Sequence, residues 1–152
     1  TVTIAAPLHA FYRNSYGYEE GRTFYRQVAW ETTRQWRELT GVQLEHVSGT
    51  ESLAFATAFY SADHPLYGLP ALSSQPVANG AIADHGWVSL CFREQAACID
   101  AAEAMAVVSG NYVRREFTVQ SRLFGLAGLP RTVIAFLVSP AIGSRGSSRR
   151  SP

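Results

Sequence analysis

The sequence predicts an α+β domain: a mainly antiparallel sheet of about five to seven strands, packed by one long helix in the N-terminal half and a second, shorter Ala-rich helix. Three observations predict it. Residues 22–41 (RTFYRQVAWETTRQWRELTG) repeat their apolar positions at the helical period. Residues 93–109 are rich in Ala and close on Gly110. Short β-branched and aromatic runs, of which residues 131–139 (RTVIAFLVS) are the clearest, alternate with turn-forming Gly, Pro, Asn and Asp. The domain spans residues 1–142, and residues 143–152, made of Arg, Ser, Gly and a final Pro, read as a flexible tail.

Taken in order, residues 1–6 (TVTIAA) alternate Val2 and Ile4 with threonines and read as a strand stopped by Pro7. Residues 9–18 form an aromatic connection that covers a core edge. In the long helix, Tyr25, Ala29, Thr32, Trp36 and Leu39 recur at steps of four and three, with Val28 beside them. Arg22, Arg26, Thr33 and Arg37 fall on another face and read as solvent-facing. Arg34 and Glu38 stand four apart and can pair for about 0.3 kcal/mol. Gly41 supplies the left-handed residue that ends a helix without a Cβ penalty.

After this helix, residues 42–47 and 53–61 predict a hairpin around Ser48, Gly49, Thr50 and Glu51. Residues 63–79 hold Pro65, Gly68, Pro70 and Pro76 among apolar residues that include Tyr67, and read as a long ordered loop. Residues 81–83 and 87–92 predict short strands, and residues 93–109 the second helix. Residues 112–124 and 131–139 predict a closing hairpin over the turn-like residues 125–130, with a helix over 113–126 as the alternative. Cys91 and Cys98 are the only cysteines; a disulfide and two buried thiols are both open at this spacing.

At 152 residues and 47% apolar, one domain with a real core is expected, and no run is long enough to cross a membrane. A chain that begins at Thr1 rather than Met reads as secreted or otherwise processed, with no signal peptide in the sequence to decide between the two. All basic residues are Arg. Arg145, Arg149 and Arg150 lie in the tail, which leaves the body with a slight acidic excess. That excess argues against a dedicated nucleic-acid domain, except through the Arg tail.

Two groups of residues are candidates for function. Trp30 lies off the apolar stripe, near Arg26, Arg34 and Arg37. Together with Tyr67 of the long loop, these form the candidate partner-binding set; an exposed Arg–aromatic face suits a protein partner, a second copy or an anionic ligand. The tripeptide Ala-Asp-His occurs at residues 62–64 and again at 83–85. With His46, it assembles His46, Asp63, His64, Asp84 and His85 from neighbouring elements, a donor set that suits zinc or another divalent metal. The spacing matches no metal motif, and Asp before His is also ordinary turn chemistry.

The opening TVTI strand, a helix ending W-x-x-L-T-G, then V-Q-L-E-H-V, a further strand and a glycine-rich edge resemble the N-terminal half of the small metzincin proteases, snapalysin-like ones included. The later LFGLAGLP is similar to the glycine turn after their zinc-binding helix. Those enzymes use H-E-x-x-H, two His one turn apart on zinc and a Glu that activates water. On that alignment Thr118, Val119 and Arg122 stand where His, Glu and His belong, so the resemblance implies an inactive relative. There is no G-x-S-x-G, P-loop or dinucleotide fingerprint. A Cys91–His85 dyad and an N-terminal Thr1 nucleophile are the remaining catalytic readings.

Two functions follow as expectations. The first is a non-catalytic binding or assembly module that engages a protein partner, or itself, through exposed aromatics, with no cofactor. The second is a metal-dependent hydrolase-like domain, active or degenerate, built on the histidines.

Overall fold

The helical period of residues 22–41 becomes α1 (Arg22–Thr40) in the computed structural model, which describes residues 7–10, 12, 21–68, 86–123 and 126–140. Phe24, Val28, Ala29, Thr32 and Trp36 are buried along one stripe, and Tyr25 and Leu39 pack half-buried against the same core. Gly41 ends the helix at φ 71°, where its N–H reaches the Arg37 carbonyl at 2.9 Å. Upstream, residues 7–10 and 12 are helical, and the rest of the connection expected over residues 9–18 lies outside the described residues. The expected strands at residues 1–6 and 81–83 lie outside the described residues.

β1 (His46–Gly49) follows, and then the main departure from expectation. Residues 51–60 form a helix, α2 (Glu51–Tyr60), not the second strand of a hairpin. Its apolar residues alternate by two, but Phe55 and Phe59 are also one helical turn apart. Three alanines favour the helix, and Glu51 sits in the first turn, where a carboxylate complements the helix dipole. Leu53, Ala54, Ala56 and Thr57 are buried, so the helix has an inner face that α1 receives. A helix between two strands makes a crossover, and β2 (Leu66–Tyr67) accordingly pairs parallel to β1.

β3 (Trp87–Phe92) pairs parallel to β1 on its other side and antiparallel to β5. α3 (Ala96–Ser109), β4 (Tyr112–Leu123) and β5 (Leu126–Val138) complete the order. Among the described residues the sheet has five strands, β2-β1-β3-β5-β4, in mixed orientation, so the expectation of a mainly antiparallel sheet is corrected. The α+β class and the closing hairpin are as expected, and the helix alternative for residues 113–126 is overturned. The hairpin turn is tighter than the glycines suggested, because β5 already begins at Leu126. Pro130 lies in that extension, beyond the part of β5 that pairs with β3, where a missing N–H breaks no ladder on that side.

Strand alternation divides the interior into two cores. Val47, Val88, Leu90, Phe92, Val133, Ala135 and Leu137 face α1 and α2. Trp87, Cys91, Ile134, Phe136 and Val138 face α3. The central strands β3 and β5 are apolar without a polar face because both of their faces are covered. Cys91 and Cys98 form a disulfide, with Cα atoms 5.8 Å apart, that joins β3 to the first turn of α3.

Gly49 closes β1 at φ 105°, and a Cβ there would lie 2.1 Å from the Leu90 carbonyl oxygen. The backbone contact is fixed on both sides, since Thr50 N–H donates to the same oxygen at 2.7 Å. Gly49→Ala is therefore expected to destabilise the protein by about 3 kcal/mol, from positive φ and steric overlap together. Urea unfolding would read this as a lower midpoint at unchanged slope; a loss under about 0.5 kcal/mol would contradict the β1–β3 contact.

Candidate functional site

Packing α2 against α1 changes the meaning of several residues singled out in the sequence. Thr33, expected to face solvent, is buried. Its hydroxyl bonds the Ala29 carbonyl at 2.7 Å and the Ser61 hydroxyl at 2.8 Å. Ser61 ends α2 and in turn accepts the Asp63 N–H at 3.1 Å. The Asp63 carboxylate has no exposed side-chain surface; it accepts the Leu44 N–H at 2.9 Å and the Arg37 guanidinium through Nε and Nη2. Arg37 is thereby drawn into the α1–α2 junction, and the carboxylate raises its pKa by hydrogen bonding and then by charge.

Three of the five expected metal ligands lie among the described residues. Asp63 is committed to an arginine and a backbone amide. His64, exposed, occupies a left-handed turn position at φ 46°. His46 is half-buried at the start of β1, in register with Leu66. Asp84 and His85 lie outside the described residues. Among the described residues no three His, Cys, Asp or Glu side chains group as a metal site. Thr118, Val119 and Arg122 lie on strand β4, so the pair four residues apart is spread along the strand by about 13 Å instead of stacked on one helical turn.

Trp30 is 65% exposed, as its position off the stripe suggested. Arg34 extends over its ring with the guanidinium carbon 5.7 Å from the centroid. The arginine is held from both sides by Glu31 and Glu38. Hydrogen bonding from Arg34 holds the Glu31 carboxyl below its ordinary value, against partial burial, which raises it. The stabilisation from Glu31 is thus present above the ordinary carboxylate range and is lost as pH falls through the lowered value. Arg26 is exposed one helical turn before Trp30. With Arg34 neutralised and Arg37 turned to Asp63, the basic character of this face is small.

A larger apolar surface lies on α2 and β2. Phe55 and Phe59 point away from the buried face of α2, the latter 72% exposed. Tyr67 stacks on Phe55 with ring centroids 3.9 Å apart; Leu66, 67% exposed, lies on the opposite face of β2. Of these four only Tyr67 was singled out in the sequence. The missing signal was the four-residue spacing of the phenylalanines, which reads as an exposed stripe only once residues 51–60 are taken as a helix. No family model, curated protein or solved structure matches the chain.

The structural role of Asp63 is separable from ligand binding. Asp63→Ala is expected to cost about 1–3 kcal/mol, because the Leu44 N–H loses its acceptor. Asp63→Asn keeps an acceptor oxygen and should cost less. Chemical denaturation of the two variants checks the order; equal stability of wild type and Asp63→Ala would show that the junction does not depend on this carboxylate.

Proposed function

We propose that the protein is a non-catalytic assembly module that associates with a second copy of itself through the aromatic surface of α2 and β2. The observation that carries this reading is the Phe55–Tyr67 stack, flanked by exposed Phe59 one helical turn further along α2. Three large aromatic side chains on one side of the sheet are costly to leave in water, and such patches mark contact sites. None of the three is charged, so the patch can face its own copy across a two-fold axis. A net charge of +1 puts little repulsion between copies.

The two edges of the sheet support the choice of surface. β4, the other edge among the described residues, displays Arg114, Arg115 and Glu116, and charged side chains discourage edge-to-edge pairing. The β2 edge carries Leu66 and Tyr67 instead. Trp30, with its arginine neutralised by two glutamates, is not part of the surface proposed.

Sedimentation or light scattering across a concentration series tests the reading. The wild type is expected to dimerise, and Phe59→Asp and Tyr67→Arg should each weaken the dimer at least tenfold while changing stability by less than about 1 kcal/mol. Val108→Asp, at an exposed site on α3, should leave association unchanged. A wild type that stays monomeric throughout would refute self-association and leave a different protein as the occupant. A dimer insensitive to both substitutions would place the interface elsewhere.

A further inference from the structure

α3 is held to the sheet by less than its length implies. Six of its fourteen residues are Ala, and the only ones fully buried are Ala102 and Ala106. Ile99 and Met105 add half-buried contact, while Val107 and Val108 project into solvent. Among the described residues, Asp100 and Glu103 make no ion pair across to the sheet, and no acidic residue in the first turn or basic residue in the last turn complements the helix dipole. No side chain caps its N-terminus. Against this thin face lies a continuous apolar surface: Trp87, Cys91, Ile134, Phe136 and Val138, with Tyr112 at its margin. The strongest single tie is covalent, the Cys91–Cys98 disulfide.

We infer that this disulfide is a redox latch: its reduction releases α3 and uncovers the apolar sheet face beneath it, while the α1–α2 side of the protein stays folded. The two sulfurs differ in the way a latch requires. Cys91 is fully buried, and Cys98 is half-buried in the first turn of α3, with the Thr50 hydroxyl 3.6 Å from its sulfur. A small dithiol therefore reaches Cys98 first. Its thiolate bonds to the Cys98 sulfur, and the electron pair of the Cys91–Cys98 bond passes to Cys91, which takes up a proton in its apolar site. The second thiol of the reductant, as its thiolate, then attacks the reductant's own sulfur in the mixed disulfide and expels Cys98 as a thiolate. Once that thiolate is protonated, the protein has gained two electrons and two protons, and the dithiol has become a cyclic disulfide. An Ala-rich helix of fourteen residues is marginal alone in water, so the released segment frays.

The consequence differs from a general loss of stability. The core under α1 and α2 is built from the opposite faces of the same strands, and its side chains do not touch α3. The β4–β5 and β3–β5 ladders also do not pass through α3.

Hydrogen exchange with mass spectrometry on the full chain, oxidised and then reduced with dithiothreitol, tests the latch; alkylation mass counts the thiols. Reduction is expected to speed exchange of residues 96–109 at least tenfold, leave residues 22–40 and 133–138 unchanged, and raise the fluorescence of an apolar dye. The C91A/C98A variant should show the same pattern without reductant. Unchanged exchange in α3 after two thiols are counted would overturn the latch, as would parallel loss of protection in α1 and β5. Failure of dithiothreitol to reduce the folded protein would equally overturn it, because the bond would then be a closed staple.

Discussion

The arrangement of the N-terminal half depends on one buried carboxylate. Asp63 sits where the chain leaves α2, and its two oxygens hold the Arg37 side chain of α1 and the Leu44 amide just before β1. The end of α1, the approach to β1 and the exit from α2 therefore meet at a single side chain. Burying a carboxylate is costly unless it is paired and hydrogen-bonded, and here it is both. The Thr33–Ser61 contact one helical turn away along α1 extends the same junction. With α1 and α2 locked together, Leu53 and Ala54 join Phe24, Val28 and Trp36 over β1 and β3, and the outer side of α2 is left to solvent.

Much of the fold was legible because several segments satisfy their local rules without reference to anything distant. The stripe of α1 with its Gly41 stop, the Ala-rich α3, the strand Trp87–Phe92 and the β4–β5 hairpin all carry their own pattern. Residues 51–60 do not. Phe55, Thr57 and Phe59 fit both a period of two and a period near four, and what decides between them is the α1 surface that receives Leu53, Ala54 and Thr57. From that one segment follow the parallel pairing of β1 with β2, the burial of Thr33 and the mixed sheet. Local sequence could not reveal them, because each is a consequence of the crossover.

The candidate surfaces were legible to different degrees for the same reason. Trp30 stood out as a large aromatic on the wrong side of a clear stripe, and it is exposed. The arginines around it could not be assigned from spacing alone: Arg34 pairs within its own helix, whereas Arg37 finds a partner 26 residues away. The Ala-Asp-His tripeptide at residues 62–64 held no local sign that its Asp serves a distant arginine. The α2–β2 patch was obscured by the same strand reading that obscured α2.

The mixed sheet also has a temporal consequence. β4 and β5 are joined by a turn, so their ladder closes over short chain separations. β1 and β3 must bring Val47 to Val88 across α2, β2 and the segment that follows them. Loop closure of that kind costs entropy before any contact repays it, so parallel pairing in this sheet lags behind the hairpin. During that interval the inner edge of β3 is unpaired, and its apolar residues are open to neighbouring chains. The stretch that ends as the most protected strand is thus the one most exposed to misassembly while the protein is being made.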